Sequence, residues 1–131
     1  MVDDNQLRMD ALCQEFSICK VADYSQIDLE SPFVFTGSTD EEKSLVCPTE
    51  LVPLNTMARD DGWKALRIIG VLDFSLVGIL ARISNILSEN SIGIFAVSTF
   101  NTDYIFVKKS NFDKAIQALE DAGYIVGTNL M

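Results

Sequence analysis

The sequence contains no histidine. That absence removes Ser–His and Cys–His nucleophilic systems, histidine general bases and histidine-ligated metals, leaving carboxylate, lysine or thiol chemistry for any enzyme. Cysteine is scarce: Cys13, Cys19 and Cys47 form no CxxC pair, and any disulfide scheme leaves one over. Buried thiols in a reducing compartment fit that pattern best. Basic residues are in deficit, 10 against 19 acidic ones, for a net charge of −9, and Lys108–Lys109 is their one adjacent pair. Nucleic acids and anionic membrane surfaces, which bind through clustered lysine and arginine, are therefore not the expected partners. The acidity itself serves solubility. No apolar run approaches the ~20 residues that span a bilayer. The polar, acidic stretch Met1–Asp10 has neither the basic start nor the apolar core of a signal peptide, so a cytoplasmic location is expected. A GxxxxGK[ST] phosphate loop and a GxGxxG fingerprint are both missing. The paired acids Glu41-Glu42 and Asp60-Asp61 lie in polar, loop-like runs with no cleft to make a glycosidase pair of them. No enzyme activity, cofactor or metal is expected.

What is present is apolar surface. Hydrophobic residues make up 48% of 131 positions, enough for one ordinary domain or two very small ones sharing a core. The C-terminal half is the more legible. Trp63–Val71 reads as a strand rich in branched residues. It leads into the loop Asp73-Phe-Ser-Leu-Val-Gly78, where Asp73 and Ser75 are both good helix N-caps. Ile79, Leu80, Ile83, Ile86 and Leu87 then recur on one stripe of a helix, with Asn90 and Gly93 bracketing its end. Gly93–Thr99 and Tyr104–Lys108 read as strands joined by the turn Asn101-Thr-Asp103, a hairpin. Ser110 or Asn111 caps a second helix with Phe112, Ala115, Ile116, Leu119 and Ala122 on one face; Gly123 stops it before a short strand at Tyr124–Val126. Strand, helix, strand, strand, helix, strand is the ferredoxin-like βαββαβ order, an α+β fold of antiparallel sheet with helices on one face. Phe95 and Val97 on one alternation, and Ile94 and Ala96 on the other, make both sheet faces apolar. The face without helices is thus expected to meet another module or subunit.

In the N-terminal half, Glu15–Val21, Pro32–Thr36 and Ser44–Cys47 read as short strands. Ala22–Ser31 is too short for a helix with both connections. Pro48–Pro53 suggests one helical turn, and Asn55–Gly62 reads as a linker. No internal repeat is visible in the sequence, and this half reads as a helix-poor version of the same module. The division expected is residues 1–58 and 59–131.

The run Gly70-Val-Leu-Asp-Phe-Ser-Leu-Val-Gly-Ile-Leu80, followed by Ile94-Phe-Ala-Val-Ser-Thr-Phe-Asn-Thr-Asp-Tyr104, resembles the ACT domain. Leu45-Val-Cys-Pro48 with Glu50-Leu-Val-Pro53 is similar to the signature of short bacterial two-module ACT proteins related to the CASTOR amino-acid sensors. The resemblance covers about Phe16 to Val126. It implies tandem ACT modules, pairing into a homodimer, with an amino acid or similar zwitterion bound at a module interface and a regulated protein partner downstream. In such sites the loop after the first strand and the start of its helix hold the ligand carboxylate. Elementary electrostatics agrees, because unpaired N–H groups and the helix dipole near Val77–Leu80 attract an anion. Asp103 is placed to meet a ligand ammonium, and Thr99 and Phe100 to line the pocket. The candidate site is thus Asp73, Ser75, Leu76, Gly78, Ile79, Thr99, Phe100 and Asp103. One departure bears on specificity. Ser75-Leu76-Val77 has no carboxylate to meet a guanidinium, so arginine is not carried over, and Leu76 suits a small or apolar amino acid. Each signal also has a structural explanation: Asp103 as a turn residue, Asp73 and Ser75 as caps, Gly78 as a close-approach position. The competing functions are a protein-interaction module with a vestigial pocket and a small enzyme using a carboxylate or thiol.

Overall fold

The computed structural model describes residues 8–69 and 78–129. Along the chain run strands β1 (Arg8–Leu12), β2 (Phe16–Val21), β3 (Phe35–Ser38), β4 (Lys43–Pro48) and β5 (Thr56–Ile68). Helix α1 (Ile79–Glu89), strands β6 (Ile94–Ser98) and β7 (Asp103–Lys108), helix α2 (Phe112–Asp121) and strand β8 (Ile125–Asn129) follow. They gather into two compact units: Gln14–Trp63, and the stretch from Lys64 onward together with the N-terminal strand.

In the larger unit the four-residue spacing of Ile79, Ile83 and Leu87 puts all three on the buried stripe of α1. Phe112, Ala115 and Leu119 do the same for α2. These six pack with Met9, Leu66, Ile68, Ile105 and Val107 from the strands into one core, and Leu80, Ile86, Ile116 and Ala122 sit at its margin. Both helices end in Schellman motifs. At α2 the left-handed residue is Gly123, and the Tyr124 amide returns to the Leu119 carbonyl at 3.1 Å. At α1 that position falls to Ser91, φ 60°, with the Ile92 amide on the Leu87 carbonyl at 2.9 Å. It therefore falls on neither Asn90 nor Gly93: burial of Ile92 sets the register of the turn.

The larger unit has the α+β, ferredoxin-like arrangement with one added strand. Its strands run β6-β7-β5-β1-β8, and β1 lies between β5 and β8. Met9 faces Ile68 in an antiparallel pair and Val126 in a parallel one. The sheet is therefore not wholly antiparallel, because β1 and β8 both run opposite to β5. Insertion of β1 also moves the division between the units away from 58/59, since residues 8–12 belong with the C-terminal half. Five residues with charges at Arg8 and Asp10 carry too little pattern to announce a strand. Met9 and Leu12 are nonetheless fully buried.

The smaller unit has the strand order β3-β4-β2-β5. Among its described elements helical structure is limited to a 3-10 turn, Thr49–Leu51. Loop residues do the covering: Tyr24, Ile27, Val34, Leu51 and Val52 pack over Cys19, Val21, Leu45 and Cys47. The Asn55–Gly62 stretch is not a linker. From Thr56 it is strand, held in register by β2, with Ile18 opposite Asp60 and Phe16 opposite Trp63. The extra residue makes a bulge at Gly62, φ 83°, a conformation glycine takes without strain. Tertiary pairing here overrides the poor strand propensity of Asp-Asp-Gly.

A repeat invisible in composition is present in the backbone. Phe35↔Val46, Thr36↔Leu45, Gly37↔Ser44 and Ser38↔Lys43 in the β3–β4 ladder reappear, each number sixty higher, as Phe95↔Phe106, Ala96↔Ile105, Val97↔Tyr104 and Ser98↔Asp103 in β6–β7. The turns match too. The Thr39 amide donates to the Glu42 carbonyl at 2.9 Å, and the Thr99 amide donates to the Thr102 carbonyl at the same distance. A 3-10 turn follows each second strand, at Thr49–Leu51 and Lys109–Asn111.

Candidate functional site

The candidate site lies where β5 ends, α1 begins and the β6–β7 hairpin turns. At the end of β5 the Ile69 amide donates to the Arg8 carbonyl at 2.9 Å. Asp73, Ser75 and Leu76 lie outside the described residues. The N-cap of α1 is Gly78, φ 85° and ψ 8°, with no side-chain cap hydrogen bond and no acidic residue in the first turn. The Arg82 amide bonds the Gly78 carbonyl at 2.9 Å. The N–H groups of residues 79–81 accordingly have no partner within the helix, and the first turn carries no carboxylate at the positive end of the dipole. A methyl group built on Gly78 would come within 3.4 Å of Arg82 Nη1, so the guanidinium lies against this glycine and adds to the positive potential. Ile79 turns its side chain into the core and can offer a ligand only its amide.

Across the hairpin, Ser98 Oγ donates to Asp103 Oδ1 at 2.6 Å and fixes the carboxylate at the first pair of the ladder. Thr99 closes the turn with both its amide and its hydroxyl on the Thr102 carbonyl, at 2.9 and 3.1 Å. Phe100 at the tip is 98% exposed. Thr102 is buried, and its hydroxyl donates to the Ile68 carbonyl at 2.9 Å, fastening the hairpin to the end of β5. Gly78 and Ile79 therefore stand on one element and Thr99, Phe100 and Asp103 on another. Ser98 and Thr102 are the additions the structure makes to the site. Their signal in the sequence is the Ser98-Thr99-x-x-Thr102-Asp103 pattern, in which hydroxyls alternate with turn positions.

Among the described residues no group of three or more Cys, Asp or Glu side chains could hold a metal. The buried thiols are poor nucleophiles: burial pushes Cys47 up to about 12, with Cys19 adding to the effect and Arg59 opposing it. Burial likewise raises Cys19, against a lowering by Arg59. No helix among the described residues is long and apolar enough to cross a membrane. The sheet of the larger unit also buries a residue outside the helix-packed core. Phe106, between the core residues Ile105 and Val107, is itself fully buried, and its ring stacks on Phe95 with centroids 4.4 Å apart.

Comparison with known proteins adds an independent line. Residues 58–121 match the family model of the ACT domain. Of solved structures, a protein from Agobacterium tumefaciens is 28% identical, with 96% of each chain covered and a TM-score of 0.85. A Vibrio cholerae protein of unknown function, described as a possible transport protein, is 20% identical over 92% of each chain, TM-score 0.70. The ligand-free regulatory subunit of aspartate kinase from Thermus thermophilus shares the fold at 8% identity, covering 87% of this chain and 95% of its own, TM-score 0.61. No curated protein matches the sequence.

Proposed function

Because this chain carries an ACT domain at residues 58–121, we propose that it is a non-catalytic regulatory protein of the cytosol that senses an amino acid or a similar small zwitterion. The ligand carboxylate is received by the amides at the start of α1, and its ammonium by Asp103. The observation that carries the reading is the start of α1 at Gly78, which among the described residues has neither a capping side chain nor a first-turn acid. The amides of such a helix start attract an anion. Asp103, already oriented by Ser98, supplies the opposite charge. Asp73, Ser75 and Leu76 lie between β5 and α1 in the sequence and would close the site, with Thr99 and Phe100 on the hairpin side. Binding then shifts the balance between arrangements of a homodimer or of its complex with a regulated partner, because it favours whichever arrangement completes the pocket. The regulatory-subunit character of the Thermus neighbour is consistent with this role.

A second reading, a docking module for another protein, draws on one observation: Phe100 stands 98% exposed at the hairpin tip. A thermal-shift screen of the whole protein against the common amino acids at millimolar concentration separates the two. Ligand at about 100 times Kd stabilises by about 2.7 kcal/mol, a shift of several degrees. A shift from one amino acid or a related few supports the sensor and names its ligand class. No shift from any of them leaves docking as the function.

A further inference from the structure

The repeated hairpin points to a second cavity in the smaller unit. In the larger unit, position 102 is a threonine whose hydroxyl fastens the hairpin to the end of β5. The matching position in the smaller unit is Glu42, and between that hairpin and the end of β2 lies a cavity of about 360 Å³. Its lining includes Lys20, Val21, Asp40, Glu42, Lys43 and Met57. A volume at the low end of the range for ligand pockets suits a small molecule.

The charge at the position that closes each ladder is reversed. Where Ser98 meets Asp103, Ser38 meets Lys43, whose Nζ donates to Ser38 Oγ at 3.0 Å. Lys43 is a half-buried residue, and its ammonium lies 6.0 Å from the centre of the Tyr24 ring. Cations and carboxylates thus line one cavity, together with the apolar residues Val21 and Met57. A bare metal ion or a polyamine would leave the lysines unmatched, and a simple anion would leave the acids unmatched.

We propose that this cavity is a second binding site, for a small α-amino acid, whose carboxylate is held by Lys20 and Lys43 and whose ammonium is held by Asp40 and Glu42. Its side chain lies on Val21 and Met57. The inference rests on the reading that this protein binds amino acids and adds a second site to it, one made by a unit without α-helices.

The test follows backbone amide shifts of the full-length, isotope-labelled protein as each common amino acid is added at millimolar concentration. The expected result is saturable movement of residues 20–22 and 39–43. Lys43→Ala weakens that response at least about tenfold, the effect of one lost charge-assisted hydrogen bond. Movement at 78–81 and 99–103 in the same variant stays intact, which also shows that the variant is folded. If 99–103 respond and 39–43 do not, the second site falls and the sensor reading stands. If 39–43 respond and 99–103 do not, the second site stands and the hairpin site falls. Silence of both with every amino acid overturns both. Equal movement of 39–43 with sodium acetate or ammonium chloride alone reduces the cavity to a patch of surface charge and overturns the proposal.

Discussion

The Thr102 hydroxyl donates to the Ile68 carbonyl at 2.9 Å, joining the tip of one hairpin to the last residue of a strand 34 positions earlier. Thr102→Val keeps the shape and removes the donor, leaving a buried carbonyl short of a partner. Such a loss costs about 1–3 kcal/mol. Urea unfolding should show that decrease for Thr102→Val and much less of it for Thr102→Ser. Equal stability of the valine variant and the native protein would mean the hydroxyl does not fasten the hairpin.

Gly78 holds φ 85° at the start of α1. An L-residue forced into the left-handed region loses roughly 1–2 kcal/mol, so Gly78→Ala should lower the melting temperature even though Arg82 can move away from the new methyl. It should also weaken amino-acid binding, because the amides at the helix start are displaced. A variant as stable as the native protein would show that the loop relaxes to negative φ freely.

Asp103 and Ser98 act as a pair in the proposed site. Asp103→Ala should abolish the amino-acid thermal shift while leaving the unliganded stability within about 1 kcal/mol of native, the usual range for an exposed polar contact. Ser98→Ala should weaken binding less, since the carboxylate remains but loses its orientation. Undiminished affinity in Asp103→Ala would remove that residue from the site.

The thiols should separate sharply by reactivity. Cys13 is exposed, whereas Cys19 and Cys47 are buried, so a thiol reagent near neutral pH should modify Cys13 in the native protein and the other two only on unfolding. Cys47 stands at about 12 against an ordinary 9.0. The folded state therefore holds this proton more tightly than the unfolded chain, and unfolding releases it between those values. Stability is full below about pH 9 and falls as pH rises toward about 12. Cys47→Ala should flatten that part of the pH profile; an unchanged slope would assign the loss to other groups.

Much of the larger unit could be read directly from residue spacing. Ile79, Ile83 and Leu87, and Phe112, Ala115 and Leu119, mark their helices because repeated spacing of three or four residues has one structural meaning. Gly123 marks its helix end for a similarly local reason, and so does the Asn101–Asp103 turn. The start of α1 was less legible: Asp73 and Ser75 are good caps by type, yet the helix begins at Ile79 behind an uncapped glycine. Of the candidate site, the hairpin residues Thr99 and Asp103 could be anticipated from turn chemistry. Ser98 and Thr102 could not, because their roles depend on which atoms lie across the ladder and at the end of β5.

Local chemistry thus decided the helices and the hairpins, which depend on residues within a few positions of one another, and composition alone decided the acidic charge and the absence of imidazole chemistry. Three features needed the folded chain. Arg8–Leu12 became a strand between β5 and β8, and Thr56–Gly62 became a strand because β2 supplied its partners. The two hairpins became one repeat, with Lys43 standing where the other has Asp103. Strand pairing is a long-range interaction: a short polar segment acquires it only when a distant edge presents matching N–H and C=O groups, and spacing along the chain carries no record of that edge.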